Sequence, residues 1–205
     1  MSIVTLTESE LGRLGKVPRL NLVNSLSGYK SANLIATANA NGQTNLAIFS
    51  SVIHLGSDPA LLGFILRPTT VARHTYDNIK ETGEYTINHI HEDMIESAHQ
   101  TSARYPADQS EFEATGLRPL SWEGHQAPFV EQSKIQIGLK FEEEHLIRAN
   151  RTRLIVGRIL EMRFPEEIQH PDGTLDLEKA KIVTISGADT YSLPAIIRRM
   201  PYVRL

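Results

Sequence analysis

From Lys134 to Glu142 the chain alternates without interruption: Ile135, Ile137, Leu139 and Phe141 fall on one side, Lys134, Gln136, Lys140 and Glu142 on the other. A period of two marks a strand with one face against a core, and no helix can use it. Arg153 to Phe164 repeats the pattern through Leu154, Val156, Leu160 and Met162, with Gly157 as a candidate bulge. These two segments set the class as mainly β.

The remaining segments fit around them. The first thirty residues predict a short helix and a loop leading inward. Asn33 to Ala38 reads as a strand, and Asn41-Gly42 is a strong hairpin signal because both residues tolerate positive φ; a return strand follows from Thr44. Ser57-Asp58-Pro59 is a turn before the apolar run Leu61 to Leu66, a buried strand. A helix is predicted over Ala72 to Thr82, with Gly83 placed to end it in the left-handed conformation. Tyr85 to Ile90 is strand-like and His91 to Ala103 helical in pattern. Tyr105 to Gln132 has no clear period and predicts a long surface excursion. PDGTLDLEKA, starting at Pro171, resembles a turn and a short helix, and the tail from Ala188 to Leu205 shows no strong period. The sum is several antiparallel strands with two or three helices, which fits a small barrel with attached helices. One domain over residues 1–205, with N- and C-terminal extensions, is the expected organisation.

Composition removes several classes of function. The net charge of −3 gives no support for wholesale binding to nucleic acid or an anionic membrane. Absence of cysteine excludes disulfides, a thiolate nucleophile and thiolate metal sites. MSIVTLTESELGRLGK lacks the pattern of a signal peptide and no apolar run approaches a membrane span, so the cytoplasm is the expected location. No strand–GxGxxG–helix unit, P-loop or GxSxG elbow is present.

The segment RPTTVARHTYDNI, Arg67 to Ile79, carries the strongest chemical signal. It follows the buried run and packs cations and hydroxyls against a helix start, where backbone N–H groups lack partners and the dipole favours an anion. Arg67, Thr69, Thr70, Arg73, His74 and Thr75 are the candidates to surround a phosphate. The alternative is a solvated helix start, with Thr69 or Thr70 as cap and the arginines in surface pairs. A second constellation is TNLAIFSS, Thr44 to Ser51. Asn45, Ser50 and Ser51 offer polar groups, and Ala47 and Phe49 apolar surface, a combination suited to a flat heteroaromatic ring with a carbonyl- and imide-rich edge. An ordinary strand with polar outer positions explains it equally. His89, His91 and His99 lie near Glu92 and Asp93, yet nothing fixes a third ligand, and no metal site is expected. Glu142 to Glu144 reads as a solvated strand end.

Together these pieces resemble the flavin reductase-like family, whose fold is an FMN-binding split β-barrel of antiparallel strands. The resemblance runs from about Gly28 to Phe164 and rests on GYKSANLIATANANGQTNLAIFSSV and SDPALLGFILRPTTVARHTYDNIKETGEYTINHI. In the family an N-x-A-x-F-S loop lies along the flavin ring and ribityl chain, which matches Asn45, Ala47, Phe49 and Ser50. The second phrase holds the FMN phosphate, which places Arg67, Arg73, His74 and Thr75 there; Asn78-Ile79 and Thr82-Gly83-Glu84-Tyr85 match the downstream pattern. Many members carry Lys-Asp where this chain has Arg73-His74. Members that use nicotinamide cofactors often carry Gly-Asp-His where this chain has Asn150-Arg151-Thr152. The resemblance implies an FMN-dependent oxidoreductase, with NAD(P)H or a protein as electron donor and a flavin or other molecule as acceptor, or a non-catalytic electron-transfer or sensing module. It also implies a homodimer. FMN carries the redox chemistry, so no catalytic side chain is named.

Overall fold

The computed structural model describes residues 2–106 and 109–203. Two helices, α1 (Glu8–Arg13) and α2 (Lys16–Leu26), precede strands β1 (Lys30–Ser31), β2 (Asn33–Ala38), β3 (Thr44–Phe49), β4 (Val52–Ser57) and β5 (Ala60–Leu66). Helix α3 (His74–Thr82), strand β6 (Glu84–His89) and helices α4 (Ile95–Gln100) and α5 (Glu111–Thr115) follow. The chain continues through β7 (Pro119–Trp122), β8 (His125–Val130), β9 (Gln136–Ile147), β10 (Thr152–Arg163), β11 (Thr184–Ser186) and β12 (Thr190–Ser192).

Seven strands form one sheet in the order β3-β2-β6-β9-β10-β5-β4, and its pairings are antiparallel. Its two edges, β3 and β4, are separated in the chain only by Ser50 and Ser51. A two-residue link between opposite edges forces the sheet to curl into a barrel. Ser51 pins the junction: its hydroxyl donates to the Ile65 carbonyl and accepts from the Ile65 N–H, both at 3.1 Å.

Local chemistry sets the expected turns. Gly42 has φ +80°, and Asn39 Oδ1 accepts from the N–H groups of Asn41 and Gln43, closing the β2–β3 hairpin. Gly83 ends α3 in the left-handed region, its N–H bonded to the Ile79 carbonyl. Ile35, Phe64, Ile79, Tyr85, Ile87, Ile137, Leu139 and Ile155 fill the barrel. On the other face of β2, Leu34 and Ala36 pack with Met94 and Ala98 of the α4 region, Phe112 of α5, and Val130. All six β2 residues are therefore buried.

Several expectations are corrected. The first thirty residues form two helices, the first closed by a capping box between Thr7 and Glu10. Helix α3 begins at His74, two residues later than predicted. The His91–Ala103 pattern divides into a 3-10 turn at Glu92–Met94 and α4. Within the Tyr105–Gln132 excursion, where 107–108 lie outside the described residues, stand α5 and the β7–β8 hairpin. That hairpin covers the side of β9 expected to be polar and exposed: Gln136 is buried and donates to the Val130 carbonyl at 2.7 Å. PDGTLDLEKA contains turns and no α-helix. The tail contributes β12, paired with β11; residues 204–205 lie outside the description.

The largest correction concerns β10. Its barrel-facing residues are Ile155 and Ile159, whereas Leu160 and Met162 are exposed at 44% and 58%. The apolar stripe read from the sequence does not keep one face: Leu154 and Val156 face away from the barrel, Leu160 is an extra residue at a second register shift, and Met162 is the register partner of the barrel residue Ile137. Gly157 is not the bulged residue: the register shifts between Val156 and Gly157 because Glu142 of β9 is the extra residue there, and Gly157 instead makes room inside. A Cβ there would lie 2.1 Å from the Tyr85 hydroxyl oxygen, and one on Gly138 would lie 2.3 Å from the Trp122 ring. Both rings are walled in, so neither can yield cheaply. Gly157→Ala and Gly138→Ala are each expected to lose about 1–3 kcal/mol through overpacking, read as a lower urea midpoint at unchanged m-value.

Candidate functional site

Asn45 and Thr75 come from the two segments that carry the sequence signal, and the fold joins them. Asn45 Nδ2 donates to Thr75 Oγ1 at 3.0 Å, and Asn78 Nδ2 donates to Thr37 Oγ1 at 3.0 Å. All four residues are buried. Thr37 and Asn45 are register partners across β2 and β3, while Thr75 and Asn78 sit three apart on the inner face of α3. The helix start is thereby fastened to the open edge of the sheet by side-chain polar groups. Asn78 and Thr37 were not picked out as candidates, since only the folded register brings them together.

The cations stand outside this joint. Arg73 occupies the N-cap of α3, where its side chain cannot accept, and no side chain caps the helix. Thr69 and Thr70 lie in the preceding turn and do not cap it. Arg73 Nε donates to the Pro68 carbonyl at a long 3.4 Å. Arg67 is exposed and its guanidinium has no ion pair or hydrogen bond among the described residues. An uncapped helix start beside two weakly engaged guanidiniums fits a phosphate: both supply donors and positive charge.

On the cavity side, His74 lines a pocket of about 40 Å³ with Asn39, Gln43, Asn45, Asn78 and Glu111. Glu111 Oε2 accepts the Leu46 N–H at 2.9 Å, closing the free edge of β3 from helix α5. Glu111 lay in a stretch with no readable period. A carboxylate here disfavours an anion in this pocket and leaves the Arg67–Arg73 side for one.

TNLAIFSS divides between structure and rim. Phe49 packs edge-on against Phe64 at 5.0 Å, and the Ser51 hydroxyl is consumed at the barrel junction. Ala47, Phe49 and Ser50 are part-buried. The histidines do not converge. His91 Nε2 lies 3.0 Å from the Gln132 carbonyl, and His99 Nδ1 lies 3.0 Å from the Tyr191 hydroxyl. His89 points to the barrel side, where burial lowers its pKa to about 4. The acidic run continues as strand rather than ending it: Glu144 accepts from Arg153 at 2.9 Å and from the Tyr76 hydroxyl at 3.2 Å, and Glu142 pairs with Arg158.

Comparison with known proteins identifies this arrangement. The model of the flavin reductase-like domain matches residues 26–180. The chain belongs to the flavin reductase-like family. It is similar to a protein of Shewanella frigidimarina described as a proposed flavin reductase with a split barrel domain. That match has 44% identity and a TM-score of 0.94, and covers 98% of this chain and 100% of the other. An uncharacterized protein of Methanothermobacter thermautotrophicus is 30% identical over 76% of this chain and 73% of its own. The flavoredoxin of Desulfovibrio vulgaris shares the fold, at 21% identity and a TM-score of 0.74 over 85% of this chain and 92% of that one. The flavin reductase-like split barrel and its neighbours support a flavin-linked redox function.

The Asn45–Thr75 fastening sets an expectation for stability. Asn45→Leu removes the donor and leaves buried hydroxyls facing apolar atoms, at a cost of about 1–3 kcal/mol. Chemical denaturation reads this loss; an unchanged midpoint would show that the bond contributes nothing.

Proposed function

We propose that the chain binds FMN and works as an FMN-dependent oxidoreductase of the flavin reductase class, from NAD(P)H or a protein donor to a flavin or another acceptor. One observation carries the FMN reading: Arg67 and Arg73 stand weakly engaged beside an α3 start that no side chain caps. Arg67, Arg73 and the α3 amides hold the phosphate. Thr75 and Asn45 fix the helix start against β3, and Ala47, Phe49 and Ser50 present a part-buried rim to the ring, with Thr69, Thr70, His74 and Ser51 around it. FMN, when bound, supplies the hydride- and electron-accepting group. The chain's own residues bind and orient it.

A second reading is a flavin-binding electron-transfer or sensing module without its own turnover. The β9–β10 turn favours it. Asn150 Oδ1 there accepts from both the N–H and the hydroxyl of Thr152, at 3.0 and 2.7 Å, and Arg151 takes φ +61°. The turn therefore spends its polar groups on itself where relatives carry Gly-Asp-His. Bleaching of the yellow protein by NADH or NADPH supports the oxidoreductase; FMN-loaded protein inert to both supports the module.

The same reading includes a homodimer of single-domain subunits in the cytoplasm. No helix is long and apolar enough to cross a membrane among the described residues. Leu160 and Met162 are exposed on β10, and α2 has no buried residue although it carries Val17, Leu20 and Val23. Apolar surface of that extent suits a partner subunit.

Two outcomes test the proposal. Arg67→Ala with Arg73→Ala is expected to raise the FMN dissociation constant by at least a hundredfold, since charge-assisted bonds contribute about 1.5–3 kcal/mol each. These arginines support no core, so fluorescence titration reads binding rather than folding. Leu160→Glu with Met162→Glu is expected to halve the mass seen by light scattering; a parent chain already monomeric defeats the dimer.

A further inference from the structure

Asn33 and His89 are register partners on β2 and β6. The Ile90 N–H bonds to the Ala32 carbonyl, so Asn33 and His89 form the non-hydrogen-bonded kind of antiparallel pair, whose Cβ atoms stand about 4.5–5.5 Å apart. Asn33 is also the register partner of Phe49 on β3. Partners across a sheet share a face, and Ile35, Ile87 and Phe49 fix this one as the barrel side. Phe49, Asn33 and His89 thus form one row, level with the Ser50–Ser51 link.

Two polar atoms in that row have no hydrogen-bond partner among the described residues. Asn33 Oδ1 and His89 Nδ1 are both buried and both unsatisfied. The Asn33 amide nitrogen and the His89 carbonyl beside them are occupied. Asn33 Nδ2 donates to Ser31 Oγ at 2.9 Å, and the His89 carbonyl accepts from Ser133 Oγ at 2.7 Å. His89 as a residue is only part-buried, as are Ser31, Phe49, Ser50 and Val52, so this end of the row has an open rim. Its imidazole is neutral near pH 7 because burial disfavours the charged form.

A buried polar atom without a partner is a cost that proteins avoid. Here two occur side by side, one an obligate acceptor and the other a neutral ring nitrogen that can donate or accept. A planar group with N–H beside C=O presents the complementary pair. We propose that Asn33 and His89 form a notch that reads the amide or imide edge of a planar ring entering beside Phe49 and Ser50. The inference rests on the flavin reading for its context. Two sources share the chemistry: the imide of the flavin itself, and the carboxamide of a nicotinamide donor.

The test compares the parent with His89→Phe, Asn33→Val and His89→Gln, each checked for an unchanged fold by its melting temperature. Loss of at least about tenfold in FMN affinity in the Phe and Val variants, with recovery in the Gln variant, assigns the notch to the flavin imide. Unchanged FMN affinity with a tenfold rise in the KM for NADH or NADPH at constant kcat assigns it to the nicotinamide carboxamide. Variants that melt higher and bind both as the parent does would overturn the proposal. If the parent takes up no FMN, the flavin reading fails separately. The notch is then read by the His89 imidazole nitrogen resonances on addition of uracil or nicotinamide. Movement with either upholds it, and movement with neither refutes it.

Discussion

The two-residue link between the edges of the sheet is the constraint on which the rest depends. Strands β3 and β4 are neighbours in the chain and the two edges of a seven-stranded sheet. Closure follows from chain length alone, because two residues cannot cross a flat sheet with strands about 4.8 Å apart. The Ser51 hydroxyl, bonded twice to Ile65, holds the closed form. Closure also decides where a site can be. The seam is where edge backbone, a part-buried aromatic and the start of α3 come within reach of one molecule.

At one end of the seam, the Asn45–Thr75 bond makes the helix start and the sheet edge one object. The backbone that carries Arg73 at that helix start is then fixed relative to the rim. A backbone fixed in this way leaves only the arginine side chains to be ordered when an anion binds. Glu111 contributes from the opposite side by capping the edge amide of Leu46. The β3 edge is therefore protected against pairing with another strand, and the carboxylate leaves the arginine side as the more favourable place for an anion.

The sequence made the strand-forming segments legible because periodicity and turn chemistry are local. Asn41-Gly42 and Gly83 each follow from backbone conformations that few residues tolerate. The faces were less legible. On β10 a continuous reading of Leu154, Val156, Leu160 and Met162 does not follow one face, because Ile155 and Ile159 are equally apolar and the extra residue Leu160 switches the alternation. The candidate site shows the same division. Arg67, Arg73 and Thr75 cluster in sequence and were visible, whereas Thr37, Asn78 and Glu111 join them only through cross-strand register and the packing of α5. Ser51 was visible as a site candidate, and the structure gives its hydroxyl a role in closing the barrel that the sequence did not show.

Two kinds of unpaired polar atom in the barrel separate structure from function. The Tyr85 hydroxyl is buried without a partner, and burial raises its pKa. Its ring fills space that Gly157 vacates, stacked edge-on with Phe64 at 5.6 Å. The apolar area of that ring, worth roughly 25 cal/mol per Å² removed from water, offsets one unmade hydrogen bond. Asn33 has no such payload: its side chain is short and polar and would serve packing better as a Leu or Val. Its partner His89 adds a second unmade bond at the same point. A cost of about 1–3 kcal/mol per buried group, set beside an open rim rather than deep in the core, is rational for a fold that gains the missing bonds when a ligand arrives. The Tyr85 orphan therefore serves packing, and the Asn33–His89 pair serves recognition.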